Sequence, residues 1–402
     1  MDVETWYRHA PITEETVYFD MMNKVDMINK GFLLSSLLVQ PLSLTLVYFP
    51  MSSTRSNLTH FLVNQANGVK GLADLNLPTV PPQYIQPLQA RLDHTKIVPR
   101  QSIPIIDFTN WEDPDVQNSI FDAAVEWGFF QIINHGIPFK VIDDLKASVH
   151  RFFELPAQEK KSLKESSPPE VVRLATSFSP HAELVLEWKD YLQLVYASEE
   201  KIHAHWPAIC KDQAVEYMKY CEVIIRKLLK VLLKKVNVEE LDKAREDTLM
   251  GAMILGFNYY PACPEPEVVS GVAPHSDISS ITVLLQDDIG GLYVRGSDGG
   301  DSWIYVPPVE GALVINIGDV LQIMSNERYK SIEHRAVANK RKTRISIPIF
   351  VNPAPDAVIG PLSEVLENGD KPKYKQLLYS DYFKYFFSKA HDGKKTIEFA
   401  MI

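Results

Sequence analysis

The residues best suited to do chemistry lie between Pro274 and Ser346. The stretch opens Pro274-His275-Ser276-Asp277, carries Ser331-Ile332-Glu333-His334-Arg335 further on, and closes Arg344-Ile345-Ser346. On an extended segment the outer two residues of H-x-D point the same way, because strand side chains alternate. His275 and Asp277 can therefore reach one point in space, and His334 supplies a third ligand. Two imidazoles and one carboxylate on one face of a metal leave the other face open, the arrangement by which Fe(II) admits a co-substrate and O2. Arg344 and Ser346 again share a strand face, and arginine grips a carboxylate with two parallel hydrogen bonds. A diacid co-substrate is expected beside the metal.

Other histidines lack such company. His135 has no partner at ligand spacing and reads as a hydrogen-bonded structural residue. His203 and His205 form an H-x-H in a polar stretch and read as surface residues.

The elements that must position these ligands change character near residue 251. Short apolar strands recur at 251–260, 279–286, 291–295, 303–306, 312–317, 320–324, 332–338 and 344–351, separated by Gly, Pro, Asp and Asn. Short strands so spaced indicate a double-sheet jelly roll or barrel. Before them the pattern is mixed. A short helix is expected over Leu58–Gly71, then a Pro-rich passage, then a short buried strand at Pro104–Phe108. Asp113 can cap the next helix, with Pro114 tolerated in its first turn and Gly128 ending it. A strand over Phe129–Ile133 and a helix over Phe139–Phe153 follow, with another strand-like run from Trp188. The longest helix is expected from Asp212 to about Val236, its apolar stripe facing the core, and a last one near Tyr379–Ala390. The expected fold is α+β: a double-stranded β-helix (jelly-roll) core over 246–402, with a mostly helical region over 51–245 packed against it.

With 402 residues the chain can bury a sizeable core. It is 46% hydrophobic and 23% charged, ordinary for a globular protein, and its net charge of -10 disfavours nucleic-acid or anionic-membrane partners. Cys210, Cys221 and Cys263 make an odd set with no metal-type pairing, which fits a reducing compartment. Gly31–Pro50 carries no charge, and 32–49 approaches the roughly 20 apolar residues a membrane span needs. Gln40, Pro41 and several Ser and Thr dilute it, so residues 1–50 are expected to be a disordered or artefactual extension rather than an anchor, with Met51 a natural start. A cytoplasmic location and a monomer are expected.

The chain resembles the plant 2-oxoglutarate- and Fe(II)-dependent dioxygenases from roughly Asn67 to its end. The pieces are IPIIDF from Ile103, WGFFQIINHG from Trp127, NYYPACPEPE from Asn258, the H-x-D at His275, EHR from Glu333 and RISIPIFVNP from Arg344. Within that family it looks most like the coumarin-forming, feruloyl-CoA 6'-hydroxylase (p-coumaroyl-CoA 2'-hydroxylase) type. That likeness rests on Asn67–Leu72, Tyr84–Leu88, Thr176–Pro180, Glu187–Tyr191 and His391–Thr396. Two departures stand out: Leu174-Ala175 where an aromatic-Gly pair is usual, and Glu327 where Gly is usual.

The resemblance implies Fe(II) held by His275, Asp277 and His334, and 2-oxoglutarate held by Arg344 and Ser346 with Tyr260 and Asn258 as further hydrogen-bond partners. O2 is the second co-substrate and ascorbate an auxiliary reductant. The implied reaction is ortho-hydroxylation of a hydroxycinnamoyl-CoA ring, leading to a coumarin such as scopoletin. A preformed coumarin or a flavonoid is the alternative substrate. A non-catalytic ligand-binding member of the fold would predict a broken triad or a missing arginine, and the chain has neither. Two further features stay open: Phe350 faces either the substrate or the core, and Lys340-Arg341-Lys342 meets either CoA phosphates or only solvent.

Overall fold

A computed structural model of the chain describes residues 54–402, apart from 179, 181, 182, 297–299 and 368. The expectations for residues 1–50, including the apolar run 32–49, lie outside the described residues. Among the described residues no helix is long and apolar enough to cross a membrane.

Fourteen strands among the described residues carry the architecture. In chain order they are β1 (Ile105–Asp107), β2 (Phe129–Ile133), β3 (Val172–Thr176), β4 (Asp190–Tyr196), β5 (Ala252–Tyr260), β6 (Val272–His275), β7 (Ile281–Gln286), β8 (Leu292–Arg295), β9 (Trp303–Val306), β10 (Leu313–Ile317), β11 (His334–Ala336), β12 (Arg344–Asn352), β13 (Val358–Ile359) and β14 (Leu377–Leu378). Eight form one sheet in the order β1-β2-β10-β7-β12-β5-β4-β3, and β6-β11-β8-β9 form a second. Residues of both sheets line one cavity between them, which makes the core a jelly roll.

Strand alternation decides what each face of the large sheet does. In β12, Ile345, Ile347, Ile349 and Val351 join the main hydrophobic core, while Arg344, Ser346, Pro348 and Phe350 line the cavity. β5 behaves alike, with Leu255, Phe257 and Tyr259 in the core and Asn258 and Tyr260 on the cavity. Helices cover the outer face. Those that matter here are α1 (Pro114–Glu126), α2 (Phe139–Phe153) and α3 (Lys211–Lys234), the last burying Tyr217, Cys221, Ile224, Leu228 and Leu232 at helical spacing. Asp113 caps α1 through the Asp115 N–H, as expected. A smaller apolar cluster of Phe129, Leu292, Val294, Ile304, Val306 and Val314 ties the two sheets together beside the cavity.

Four expectations are corrected. Residues 320–324 form not a strand but the short helix α4 (Asp319–Met324), buried along its whole length. β6 arises where no strand was expected. The stretch expected as one helix over Leu58–Gly71 is broken into a helix at Arg55–Thr59, a π turn at His60–Asn64 and a helix at Gly68–Asp74. β1 is also less buried than expected, since Ile105 is exposed.

Candidate active site

β6 lies at the edge of the small sheet, and its antiparallel pairing with β11 sets His275 directly across from His334. The two rings lie 4.3 Å apart between centroids. Asp277 lies two residues past the end of β6, and its Oδ1 is 3.5 Å from His275 Nε2 and 3.7 Å from His334 Nε2. One ligand atom from each of the three falls within 4.8 Å of the others, and no other such group of His, Cys or carboxylate side chains occurs among the described residues. The three side chains expected as ligands thus converge.

Their protons are arranged for metal binding. His275 Nδ1 lies 2.9 Å from the Ala273 carbonyl and His334 Nδ1 3.1 Å from the Ile332 carbonyl. A carbonyl only accepts, so each Nδ1 carries the proton and each Nε2 presents a lone pair. Asp277 is held from behind: its Oδ2 accepts from Thr282 Oγ1 at 2.7 Å and from Asn316 Nδ2 at 2.8 Å, leaving Oδ1 toward the imidazoles. Burial works against ionising Asp277, but His334 and His275, with the Asn316 hydrogen bond, hold its carboxyl well below the usual carboxylate range. Burial, reinforced by the neighbouring His275, pushes His334 down to about 4, so its imidazole is neutral at neutral pH. Spacing did not point to Thr282 or Asn316, which come from β7 and β10. Their signal was only that a polar residue interrupts each apolar strand.

Across the cavity stand the residues of the large sheet. Arg344 pairs in register with Tyr260, and Ser346 with Asn258. Arg344 is 1% exposed, and its Nε and Nη1 are buried without a hydrogen-bond partner among the described residues. Its guanidinium lies 4.8 Å from the centre of the Tyr260 ring, so a cation–π contact supports one side of it. Asn258 Nδ2 reaches Ser346 Oγ at 3.5 Å, a weak contact. A buried guanidinium with unpaired donors is costly unless an anion meets it. The donor set on one wall and the unpaired arginine on the other fit Fe(II) with a carboxylate-bearing co-substrate. Gln286, opposite Ser346 in the pairing of β7 with β12, is also buried with both amide atoms unpartnered, and spacing gave no hint of it.

The remaining expectations fall out plainly. Phe350 lines the cavity. His135 bonds the Gly311 carbonyl at 2.7 Å, as a structural histidine should. His203 is exposed and His205 half-buried, on the short helix Glu199–His205. Lys340, Arg341 and Lys342 are exposed on a turn whose backbone is held by the Asn339 side chain.

Comparison with known proteins gives a consistent picture. Residues 251–353 match the 2OG-Fe(II) oxygenase superfamily, and residues 103–214 match the N-terminal domain described as non-haem dioxygenase in morphine synthesis. The feruloyl CoA ortho-hydroxylase F6H1-3 of Ipomoea batatas is 54% identical, covering 88% of this chain and 99% of its own. Feruloyl CoA ortho-hydroxylase 2 of Arabidopsis thaliana is 53% identical over 87% of this chain and 97% of its own. A bi-functional coumaroyl CoA and feruloyl CoA ortho-hydroxylase of Ruta graveolens is 52% identical over 86% and 95%. Among solved structures, JOX2 in complex with 2OG, Fe and JA superimposes with a TM-score of 0.72 at 32% identity, covering 83% of this chain and 97% of that one. With these matches over most of its length, the chain belongs to the 2OG-Fe(II) oxygenase superfamily and is a 2-oxoglutarate-dependent dioxygenase.

Proposed function

We propose that the protein hydroxylates the aromatic ring of a hydroxycinnamoyl-CoA, feruloyl-CoA first, ortho to the side chain. The observation that carries the substrate class is the likeness, 53–54% identity over 87–88% of this chain and nearly the whole of theirs, to relatives named feruloyl CoA ortho-hydroxylases. Fe(II) would be held by His275, Asp277 and His334, and 2-oxoglutarate by Arg344 and Ser346, with Tyr260 and Asn258 beside them. When bound, the metal would supply the coupled use of one O2, whose atoms would end in the new ring hydroxyl and in succinate, with CO2 released. The protein's own task is positioning.

His275 and His334 each keep the proton on Nδ1, from which it is donated in a hydrogen bond to a backbone carbonyl, and so would offer Nε2 to the metal. Asp277 offers Oδ1 while Thr282 and Asn316 hold Oδ2. The unpaired donors of Arg344 would meet the far carboxylate of the co-substrate, supported by the Tyr260 ring. Apolar side chains such as Phe129, Leu284, Leu292 and Phe350 line the rest of the cavity and limit water. After hydroxylation, isomerisation of the side chain lets the new hydroxyl attack the thioester carbonyl and expel CoA, closing the coumarin lactone. Ascorbate serves as auxiliary reductant. The protein acts as a cytoplasmic monomer.

The test is a competition. The full chain receives Fe(II), 2-oxoglutarate and ascorbate with equal amounts of p-coumaroyl-CoA, scopoletin, a flavonoid and feruloyl-CoA, the last carrying an isotopic label in its ring so that scopoletin made from it is distinguished from the scopoletin added, and products are read by mass spectrometry. Scopoletin formed from feruloyl-CoA only when 2-oxoglutarate is present is the expected result. Preferential hydroxylation of scopoletin or of the flavonoid would overturn the substrate assignment while leaving the metal centre standing.

A further inference from the structure

Residues far apart in the chain cover His275 from outside: Phe178, Glu187 and Lys189, which lie between β3 and β4, and the stretch that follows the last long helix, α5 (Tyr379–Phe387). The His391 ring stacks on His275, with centroids 4.6 Å apart and planes 15° from parallel. Phe178 lies against His391 in turn, at 3.9 Å between centroids. His391 Nδ1 donates to Glu187 Oε1 at 3.0 Å, and that same oxygen accepts the Ala273 N–H at 2.7 Å. Ala273 is the residue whose carbonyl takes the His275 Nδ1 proton. One carboxylate thus supports the face of the His275 ring, through His391, and holds the backbone of Ala273, whose carbonyl meets the ring edge.

The cluster is closed off from water. Glu187 is 1% exposed, and the His391 side chain is 5% exposed. Lys189, also buried, balances the carboxylate with Nζ 3.0 Å from Glu187 Oε2. The Gly393 N–H donates to the Pro274 carbonyl at 3.1 Å, so the C-terminal stretch is fastened to β6 two residues beyond the stacked ring. Desolvation offsets most of the attraction among such buried charges, so the cluster adds little stability for its size while defining geometry closely. Nothing in the residue spacing foretold it, although Phe178, Glu187 and His391 each fall in a segment quoted above for the closer likeness.

We propose that Glu187 and His391 are a positioning pair for His275, fixing the plane and tautomer of its imidazole from outside the cavity and so setting how firmly the metal is held. The inference rests on the reading of His275, Asp277 and His334 as Fe(II) ligands. The outer partners of metal-binding histidines are commonly worth 10–100-fold in metal affinity. Here the partner acts on the ring face as well as on the tautomer.

The test uses the full chain under anaerobic conditions. Fe(II) affinity is read by competition with a chromogenic chelator, the visible charge-transfer band is recorded with 2-oxoglutarate, and apoprotein melting is followed separately. His391→Ala is expected to weaken Fe(II) binding about tenfold and to shift the band. His391→Phe, which keeps a flat ring but cannot bond Glu187, recovers part of the affinity. Glu187→Gln keeps an acceptor for Ala273 but lacks the charge, and also weakens binding. Lys395→Ala, exposed in the same segment, supplies the wild-type baseline. Variants that bind Fe(II) like this baseline with an unshifted band would overturn the proposal, however their melting temperatures move. If His391→Ala does not fold, His391→Phe and Glu187→Gln decide by the same criterion. A wild-type chain that takes up no Fe(II) would overturn the metal-centre reading and this inference with it.

Discussion

Asp277 shows how much of a metal-type ligand lies outside the ligand itself. Its Oδ2 is tied to Thr282 and Asn316, so Oδ1 is presented without a search over rotamers. Thr282→Val keeps the volume and deletes one of those bonds; Fe(II) affinity by chelator competition is expected to fall by roughly 10–100-fold. Asp277→Asn removes the charge at constant shape, and turnover of 2-oxoglutarate should be lost, read as succinate release. Arg344→Lys keeps the charge but not the two-pronged grip. The KM for 2-oxoglutarate should rise about tenfold or more with kcat changed much less, the mark of lost uniform binding. At this scale the sequence was legible wherever local geometry suffices. The alternation that aims His275 with Asp277 and Arg344 with Ser346 needs no knowledge of the fold. Thr282, Asn316, Glu187 and His391 reach the site only through sheet pairing and loop packing, which spacing does not report.

At the scale of elements, β12 was readable because its apolar residues alternate with Arg344, Ser346, Pro348 and Phe350. α4 was not. Val320-Leu321-Gln322-Ile323-Met324 is a short apolar run, and a helix buried all round has no amphipathic period to separate it from a buried strand. β6 was hidden by Pro274, which cannot donate to a ladder; the strand survives because it sits at a sheet edge. The π turn between the first helices leaves no mark in residue type. Glu327 takes a left-handed φ of 71°, which accounts for the glycine usual there, and it spans to Lys373 and Tyr374 instead. Gly128 and Gly136 flank β2, and both have positive φ, 64° and 88°. A Cβ on Gly128 would sit 2.2 Å from the Lys330 carbonyl oxygen, whereas one on Gly136 meets nothing within 4 Å. Gly136→Ala should therefore cost about 1 kcal/mol from backbone strain alone, and Gly128→Ala clearly more. Denaturant midpoints compare the two, and equal losses would contradict the packing described for β2.

Across the whole molecule, the histidines come from the small sheet, the arginine from the large one, and the cavity lies between. A metal and an anion bound together there would join the two sheets. Binding to the folded state alone stabilises by about 2.7 kcal/mol at a hundredfold excess over Kd. Thermal melting should accordingly rise by several degrees with Fe(II) and 2-oxoglutarate under anaerobic conditions, return to baseline with a chelator, and stay flat in Asp277→Ala. The jelly roll was legible as a pattern of short strands, and which strands neighbour one another was not, because pairing order is set by long-range packing. The most direct trial of the account is to run the wild-type chain and Asp277→Ala with feruloyl-CoA, Fe(II) and 2-oxoglutarate under isotopically labelled O2. The account predicts one labelled oxygen in scopoletin and one in succinate with the wild type, and neither product with the variant. Labelled succinate without labelled scopoletin would contradict the substrate, and unchanged turnover by Asp277→Ala would contradict the metal centre itself.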